Sequence, residues 1–148
     1  MIKYKSYGKM PKQDELYGVK GSFFNKPTGG LWGCRGDEWK QWCKAEGFNV
    51  KRLKHHFYFK LKQHSGIYRI RTKKDFQYLL DKYSTFNIFE FGEINYVKMA
   101  KDYDAVEVVG DIVYKLRLGC GKDHKGLYAW DVPSICVLNP DKVVLYVN

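Results

Sequence analysis

The chain has 148 residues, of which 45% are hydrophobic, and it carries a formal net charge of +10. This length suits a single domain, residues 1–148, with a sizeable apolar core, and no apolar run approaches the roughly 18 residues that a membrane-spanning helix needs. The basic charge favours an anionic partner, which is a nucleic acid, a nucleotide phosphate or an acidic protein surface. Because the N-terminal segment lacks the apolar stretch of a signal peptide, we expect a cytoplasmic protein without a membrane partner.

The first distinctive stretch, NKPTGGLWGCRGDEWKQW at residues 25–42, holds three of the four tryptophans and four of the fourteen glycines. Gly29 and Gly30 predict a sharp turn into a strand that presents Trp32 to a pocket, where a flat ring can stack on a ligand. Plain packing of large side chains beside turns is the alternative. Lys26 either reaches a phosphate of that ligand or is simply solvated.

A short amphipathic helix is predicted over residues 37–46, ending at Gly47. Within it, Trp39 and Trp42 are expected to pack against the core. Residues 53–71 then alternate apolar and basic side chains, which predicts two strands with one solvated, basic face.

A second helix is predicted at residues 72–84, where Thr72 and Asp75 have the spacing of a capping box and an apolar stripe follows. A short helix over 94–101 precedes a strand at 105–109. The Gly110-Asp111 pair predicts a two-residue hairpin turn into a further strand at 112–118.

The glycine-rich segment 118–131 is either a mobile surface loop or a ligand loop, although it lacks Walker spacing. Residues 134–147 close the chain as two strands joined at a proline turn. These elements predict an α+β fold, with a curved mixed or antiparallel sheet and two or three short helices.

Cysteine and histidine spacing argues against metal chemistry. The four cysteines include no C-x-x-C pair, so we expect free thiols. His55 and His56 are neighbours, and a strand would point them to opposite faces. The sequence therefore predicts no metal site, and it contains no Gly-x-Ser-x-Gly elbow for nucleophilic hydrolysis.

Two carboxylates stand among apolar neighbours. Glu107 lies within an apolar strand and Asp131 lies between Trp130 and another apolar strand. Such carboxylates have a raised pKa or a specific partner, which makes both candidate catalytic residues. For Glu107, simple alternation that points the side chain outward to solvent is the alternative.

The succession KPTGGLWGC, WKQWC, AKDYDAVEV and YAWDVPSICVLNPDKV resembles a group of small phage and bacterial proteins with an ADP-ribosyltransferase-like fold. Their pattern is a Lys-Pro-x-Gly-Leu-Trp-x-Ser strand, a Trp-containing helix, a Tyr-Asp-Gly-Ile strand and a Trp-Asp-x-x-Ser segment that leads to Asn-Pro. The resemblance spans about residues 23–145. It implies a curved, split sheet whose central cleft holds NAD or a related ADP-ribose nucleotide.

The resemblance also implies roles for individual residues. Asp131 falls nearest the late acid that stabilises the oxocarbenium character of the ribose, and Cys34 stands where the family has Ser. Candidate cofactor-binding residues are Tyr4, Ser6, Lys26, Gly30, Trp32, Cys34, Trp130 and Ser134.

Three functions compete at this stage. The first is an NAD-dependent enzyme that transfers ADP-ribose to a macromolecule. The second is a catalytically inactive pocket protein that sequesters an ADP-ribose-derived nucleotide or blocks a protein partner, as phage counter-defence proteins in the host cytoplasm do. This second function is supported by the length of Asp131, which is one methylene shorter than the expected Glu. The third is a nucleic-acid binder that uses the basic face of residues 53–71.

Overall fold

The secondary structure is described by a computed structural model that covers residues 1–87, 90–117 and 126–146. Within those ranges, no helix has the length and apolar character that crossing a bilayer requires. The strands are β1 (Tyr4–Tyr7), β2 (Val19–Phe23), β3 (Lys26–Gly29), β4 (Leu31–Gly33), β5 (His56–Leu61), β6 (Ile67–Ile70), β7 (Ser84–Asn87), β8 (Glu90–Ile94), β9 (Ala105–Val108), β10 (Ser134–Val137) and β11 (Val143–Tyr146). The α-helices are α1 (Glu38–Glu46), α2 (Lys73–Tyr83), α3 (Tyr96–Met99) and α4 (Ile112–Lys115).

Two sheets form the centre of the fold. One is antiparallel with the strand order β1-β5-β11, and the other has the order β4-β10-β9-β6, in which β6 runs parallel to β9. The hairpins β2-β3 and β7-β8 are separate pairs. The predicted α+β class with mixed and antiparallel pairing is therefore confirmed.

The two sheets meet at a β-bridge between Lys5, on the edge strand β1, and Cys34, directly after the edge strand β4. The Lys5 amide donates to the Cys34 carbonyl over 2.7 Å, and the Cys34 amide donates to the Lys5 carbonyl over 2.9 Å. We call this contact the seam. It joins the edges of two sheets that otherwise pair with their own neighbours.

Alternation along β5 sets the faces of the three-stranded sheet. Phe57, Phe59 and Leu61 are buried, and they pack with Ile135 and Val143 in a core cluster between the two sheets. The intervening β5 residues are more exposed, as expected for a strand with one solvated face. The predicted second strand of this region, β6, also forms, but it belongs to the four-stranded sheet.

The other face of the four-stranded sheet is covered by helices. Val106 and Val108 of β9 pack with Phe76 and Leu79 of α2 in a second core cluster. All four residues of β9 are buried, since one face meets the helices and the other meets the three-stranded sheet. A strand covered on both sides accounts for the nearly continuous apolar run in its sequence.

Local signals predicted α2 and the end of α1 correctly. The Thr72 hydroxyl accepts from the Asp75 amide over 3.2 Å and the Asp75 carboxylate accepts from the Thr72 amide over 3.0 Å, forming the capping box. Helix α1 ends at Gly47, whose φ of +66° is left-handed.

The expectation that Trp39 and Trp42 fix α1 against the core is wrong. Both indoles are half-buried and stack on each other with ring centroids 5.1 Å apart, while Phe48 packs edge-on against both. The residue of α1 that is buried is Cys43. Helical spacing identified the right face of α1 but not which of its members points inward.

The predicted hairpin into a strand at 112–118 is also wrong, because residues 112–115 form α4. Both edges of β9 are already paired, one with β10 and the other with β6, so a further strand has no edge to join. Ile112, Val113 and Leu116 are instead buried on one helical face. The predicted glycine-rich loop falls outside the described residues from 118 to 125.

Candidate functional site

A cleft of about 540 Å³ lies beside the seam. Its walls come from β1, β4, the turn ahead of β4, the turn after α1, and the segment that leads into β10. This volume falls in the range of about 300–1,000 Å³ that is typical of small-molecule and cofactor sites. The edges of both sheets therefore contribute to one concave surface.

The turn ahead of β4 positions an aromatic wall. Gly29 and Gly30 have φ values of +79° and +72°, and a Cβ on Gly30 would lie 2.5 Å from the Val137 carbonyl oxygen. Glycine is thus required for the close approach of this turn to β10. The Trp32 Nε1 donates to the Gly29 carbonyl over 3.2 Å, which holds the indole against its own turn.

Trp32 contacts a second indole and a cation. Its ring meets the buried Trp130 ring edge-on, with centroids 5.0 Å apart, and the Lys26 Nζ lies 5.1 Å from the Trp32 centroid. Trp130 is fixed in turn because its Nε1 donates to the Asn25 carbonyl over 2.8 Å. A rigid ring with an ammonium group beside it can stack on a base and neutralise a phosphate.

Asp131 is the carboxylate that follows Trp130 in the cleft wall. Burial raises its pKa by desolvating the charged form, against the opposing effect of Lys26 and Arg117. Among the described residues, no hydrogen bond or ion pair holds this carboxylate. A partly desolvated carboxylate without a fixed partner is available to a cationic group of a ligand.

The remaining lining is aromatic and mostly basic. Besides Asp131, the charged side chains in the cleft wall are Lys5, Lys9, Glu15, Lys26 and Arg52. Four cations stand against two carboxylates. Lys5 is also paired with Asp37 at 3.0 Å, so a smaller excess of positive charge remains, which favours anionic groups such as phosphates.

Glu107 has a different environment. It is 2% exposed and accepts hydrogen bonds from the Tyr4 hydroxyl (3.0 Å), from Arg35 Nε and Nη2 (2.8 and 2.9 Å) and from Arg69 Nε (2.9 Å). Burial acts to raise its pKa, but the hydrogen bonds and charges of Arg35 and Arg69 outweigh it, so the pKa of Glu107 is lowered. The alternative that Glu107 points to solvent is wrong, because the three-stranded sheet covers that face of β9.

The structure brings together most of the residues that the sequence singled out. The cleft is lined by Ser6, Lys26, Gly30, Trp32, Cys34, Trp130, Asp131 and Ser134. Tyr4 and Glu107 bond to each other and do not contribute to the cleft wall. The two candidate catalytic carboxylates are therefore not brought to one site.

The Cys34 side chain is a protonated thiol near neutral pH. Its thiol is buried, and burial, with a smaller contribution from Glu38, raises its pKa to about 12. Cys34, Cys43 and Cys136 are free cysteines, as predicted, and Cys120 lies outside the described residues. Among the described residues, no group of three or more His, Cys, Asp or Glu side chains could hold a metal ion.

Several lining residues were not predicted from the sequence. Lys9 and Tyr17 come from segments that carry no motif, and Arg52 comes from the 3-10 helix Val50–Lys54. For Trp39 the sequence predicts a place in the core. Arg52 donates from Nε to the Tyr7 carbonyl over 3.2 Å, which ties the turn after α1 to β1. The local sequence does not predict this contact, because it depends on how the segment after α1 packs against β1.

No protein-family model, curated protein or solved structure matches this chain. Function is therefore inferred from the chemistry of the cleft.

Proposed function

We propose that this chain is an NAD-binding, ADP-ribosyltransferase-like protein that transfers ADP-ribose to a macromolecular target. One observation carries the proposal: a single cleft is lined by the half-buried indole of Trp32, by four cations and by Asp131, whose carboxylate has no hydrogen bond or ion pair among the described residues. NAD offers the complementary groups, which are two aromatic rings, a diphosphate and a ribose that becomes cationic as the nicotinamide bond breaks.

The lining residues fit distinct parts of NAD. Trp32 supplies a stacking surface for one of the rings, and Lys26, beside that indole, pairs with a phosphate. Asp131 lies close enough to Lys26 for their charges to interact. We therefore assign Asp131 to the nicotinamide ribose, which is attached to the diphosphate. There its negative charge stabilises the oxocarbenium character of the transition state.

The reaction balances without a further reactant. The acceptor nucleophile bonds to C1′ of the ribose, the C1′–N bond breaks, nicotinamide leaves with the electron pair, and the acceptor releases one proton. The net charge of +10 favours an anionic acceptor, either a nucleic acid or an acidic protein surface.

The architecture also supports this proposal. A curved, split sheet with a central cleft is what the resemblance to ADP-ribosyltransferase-like proteins implies. Here the two sheets are joined at the seam, and the cleft is lined by the strands on either side of it.

A second candidate is favoured by the scarcity of reactive groups in the cleft. The Cys34 thiol stays protonated, Glu107 is held by Arg35 and Arg69 away from the cleft, and Asp131 is shorter than a glutamate. These features suit a pocket that binds and sequesters an ADP-ribose-derived nucleotide, or blocks a protein partner, without turnover.

Incubation of the purified protein with NAD separates these functions. NAD and nicotinamide are followed by chromatography, bound NAD by titration calorimetry, and modification of the protein by intact mass. We expect Trp32→Leu to abolish NAD binding, and Asp131→Asn to retain binding while nicotinamide release is lost. Asp81→Asn, on the exposed side of α2, is the matched control and should behave as the wild type.

Binding without release of nicotinamide would instead support the sequestering pocket. The absence of NAD binding in the wild type, or equal release by wild type and Asp131→Asn, would contradict the proposed enzyme.

A further inference from the structure

The three-stranded sheet has an outer face that points away from the core and is rich in lysine and aromatic residues. Tyr58 pairs in register with Lys5 of β1 on one side and with Tyr146 of β11 on the other. Because side chains alternate along a strand, all three lie on the face opposite to Phe57 and Phe59. We define the outer face as Lys3, Lys5, His56, Tyr58, Lys60, Val144 and Tyr146.

Aromatic rings form a row across the centre of the outer face. The Tyr58 and Tyr146 rings are stacked with centroids 6.2 Å apart and an interplanar angle of 25°. The His56 ring meets Tyr58 edge-on at 5.6 Å. Both tyrosines are half-buried, so the sheet fixes their positions while part of each side chain stays accessible.

Lysines surround this row. The Lys3 Nζ lies 4.4 Å from the centroid of the Tyr58 ring, and Lys60 follows Tyr58 on the same face of β5. Among the described residues, Lys5 is the lysine of this face that has an ion pair, with Asp37 at 3.0 Å. The outer face therefore carries uncompensated positive charge next to its rings.

We propose that the outer face binds single-stranded nucleic acid, with bases stacked on Tyr58 and Tyr146 and phosphates paired with Lys3 and Lys60. A single strand presents the bases and phosphates that stacking and charge pairing both require. Duplex DNA keeps its bases paired within the helix, and an acidic protein or membrane surface offers charge without stackable bases. Lys5 belongs both to this face and to the cleft wall, but Lys3, Tyr58, Lys60 and Tyr146 do not line the cleft, and the variants below leave the cleft residues intact.

The test is fluorescence anisotropy with a labelled single-stranded oligonucleotide of about 12 nucleotides, measured over a series of salt concentrations. We expect Tyr58→Leu to weaken binding by about 5- to 150-fold, the range for loss of one stacking platform. Tyr58→Phe keeps the ring and should bind as the wild type does. This pair of variants tests whether the aromatic ring, and not the hydroxyl group, is needed for binding, and equal urea unfolding of Tyr58→Leu and the wild type is required before a loss of binding is assigned to stacking.

Charge is tested with two matched double variants. Lys3→Gln with Lys60→Gln should reduce the slope of log K against log salt by about 1.4, because two phosphate contacts are lost from a single strand. Lys73→Gln with Lys74→Gln removes the same charge from the exposed start of α2 and should leave the slope unchanged.

Absence of binding at low salt, or equal binding by Tyr58→Leu and Tyr58→Phe, would overturn the proposal. The same holds if the variants at positions 73 and 74 weaken binding as much as those at positions 3 and 60. Tighter binding to duplex DNA, to heparin or to phosphatidylserine vesicles that Tyr58→Leu does not weaken would also contradict the proposal. It would show that the outer face binds anions through charge and not through base stacking.

Discussion

Glu107→Gln offers a sharp test of how the interior of this fold is held together. The variant keeps the size of the side chain but removes the charge that Arg35 and Arg69 contact at 2.8 and 2.9 Å. Loss of one partner of a buried ion pair costs about 3–5 kcal/mol. Arg35 and Arg69 are 42% and 25% exposed, so water can solvate part of both guanidinium groups once the charge is gone.

Because of this solvation we use the lower end of the range of about 3–5 kcal/mol, and we expect the free energy of unfolding of Glu107→Gln to be lower than that of the wild type by about 3 kcal/mol. In thermal unfolding this corresponds to a decrease in Tm of about 6–12 °C for a chain of this size. Urea unfolding followed by tryptophan fluorescence measures the free energy directly. Glu46→Gln, at the exposed end of α1, is the control and should change it by less than about 0.5 kcal/mol.

The pH dependence gives an independent check on the same residue. The pKa of Glu107 is lowered in the folded protein, so its stabilising contribution is complete above the unfolded pKa of about 4.3 and is lost as the pH falls through the folded value. The difference between wild type and Glu107→Gln should be constant from about pH 7 to 5 and shrink below about pH 4. A loss of less than about 1 kcal/mol at pH 7, or a difference that grows in acid, would refute this account of the ion cluster.

Two further predictions concern the cleft and its turn. Asp131 has a raised pKa in the folded protein, so its ionised form opposes folding; Asp131→Asn should raise Tm at pH 7, with the gain disappearing in acid below the unfolded pKa, and a lower Tm would contradict this assignment. Gly30→Ala should destabilise more than Gly47→Ala, as measured by urea unfolding. Both positions have left-handed φ values, which cost about 1–2 kcal/mol with a side chain. The added Cβ meets nothing within 4 Å at Gly47 but lies 2.5 Å from a backbone oxygen at Gly30, which adds about 1–3 kcal/mol. An equal decrease in the free energy of unfolding for Gly30→Ala and Gly47→Ala would show that the turn ahead of β4 moves away from β10.

The parts of the fold that the sequence predicted are those with local causes. The capping box at Thr72 and the left-handed Gly47 act over a few residues, so they are visible in the sequence. The fate of residues 112–115 is different, because it depends on whether β9 has an unpaired edge. That edge is occupied by β6, a strand some forty residues earlier in the chain.

The same distinction applies to the site. Trp32 and Asp131 belong to segments with distinctive composition, and the structure places both in the cleft. The environment of Glu107 could not be predicted, since solvent exposure of one face of β9 depends on the packing of a second sheet. Arg52 was missed for a related reason: its place in the cleft follows from the docking of a turn onto β1.

The seam couples opening of the two sheet edges to binding of a ligand in the cleft. Lys5 and Cys34 exchange one reciprocal pair of backbone hydrogen bonds, and both residues line the cleft. Separation of the two sheet edges at this point would break both bonds in one event, so we expect the two amides to share a single opening rate in hydrogen exchange. We expect a molecule bound across β1 and β4 to slow hydrogen exchange at both amides together. The exchange rates of Lys5 and Cys34 would then report whether the cleft is occupied.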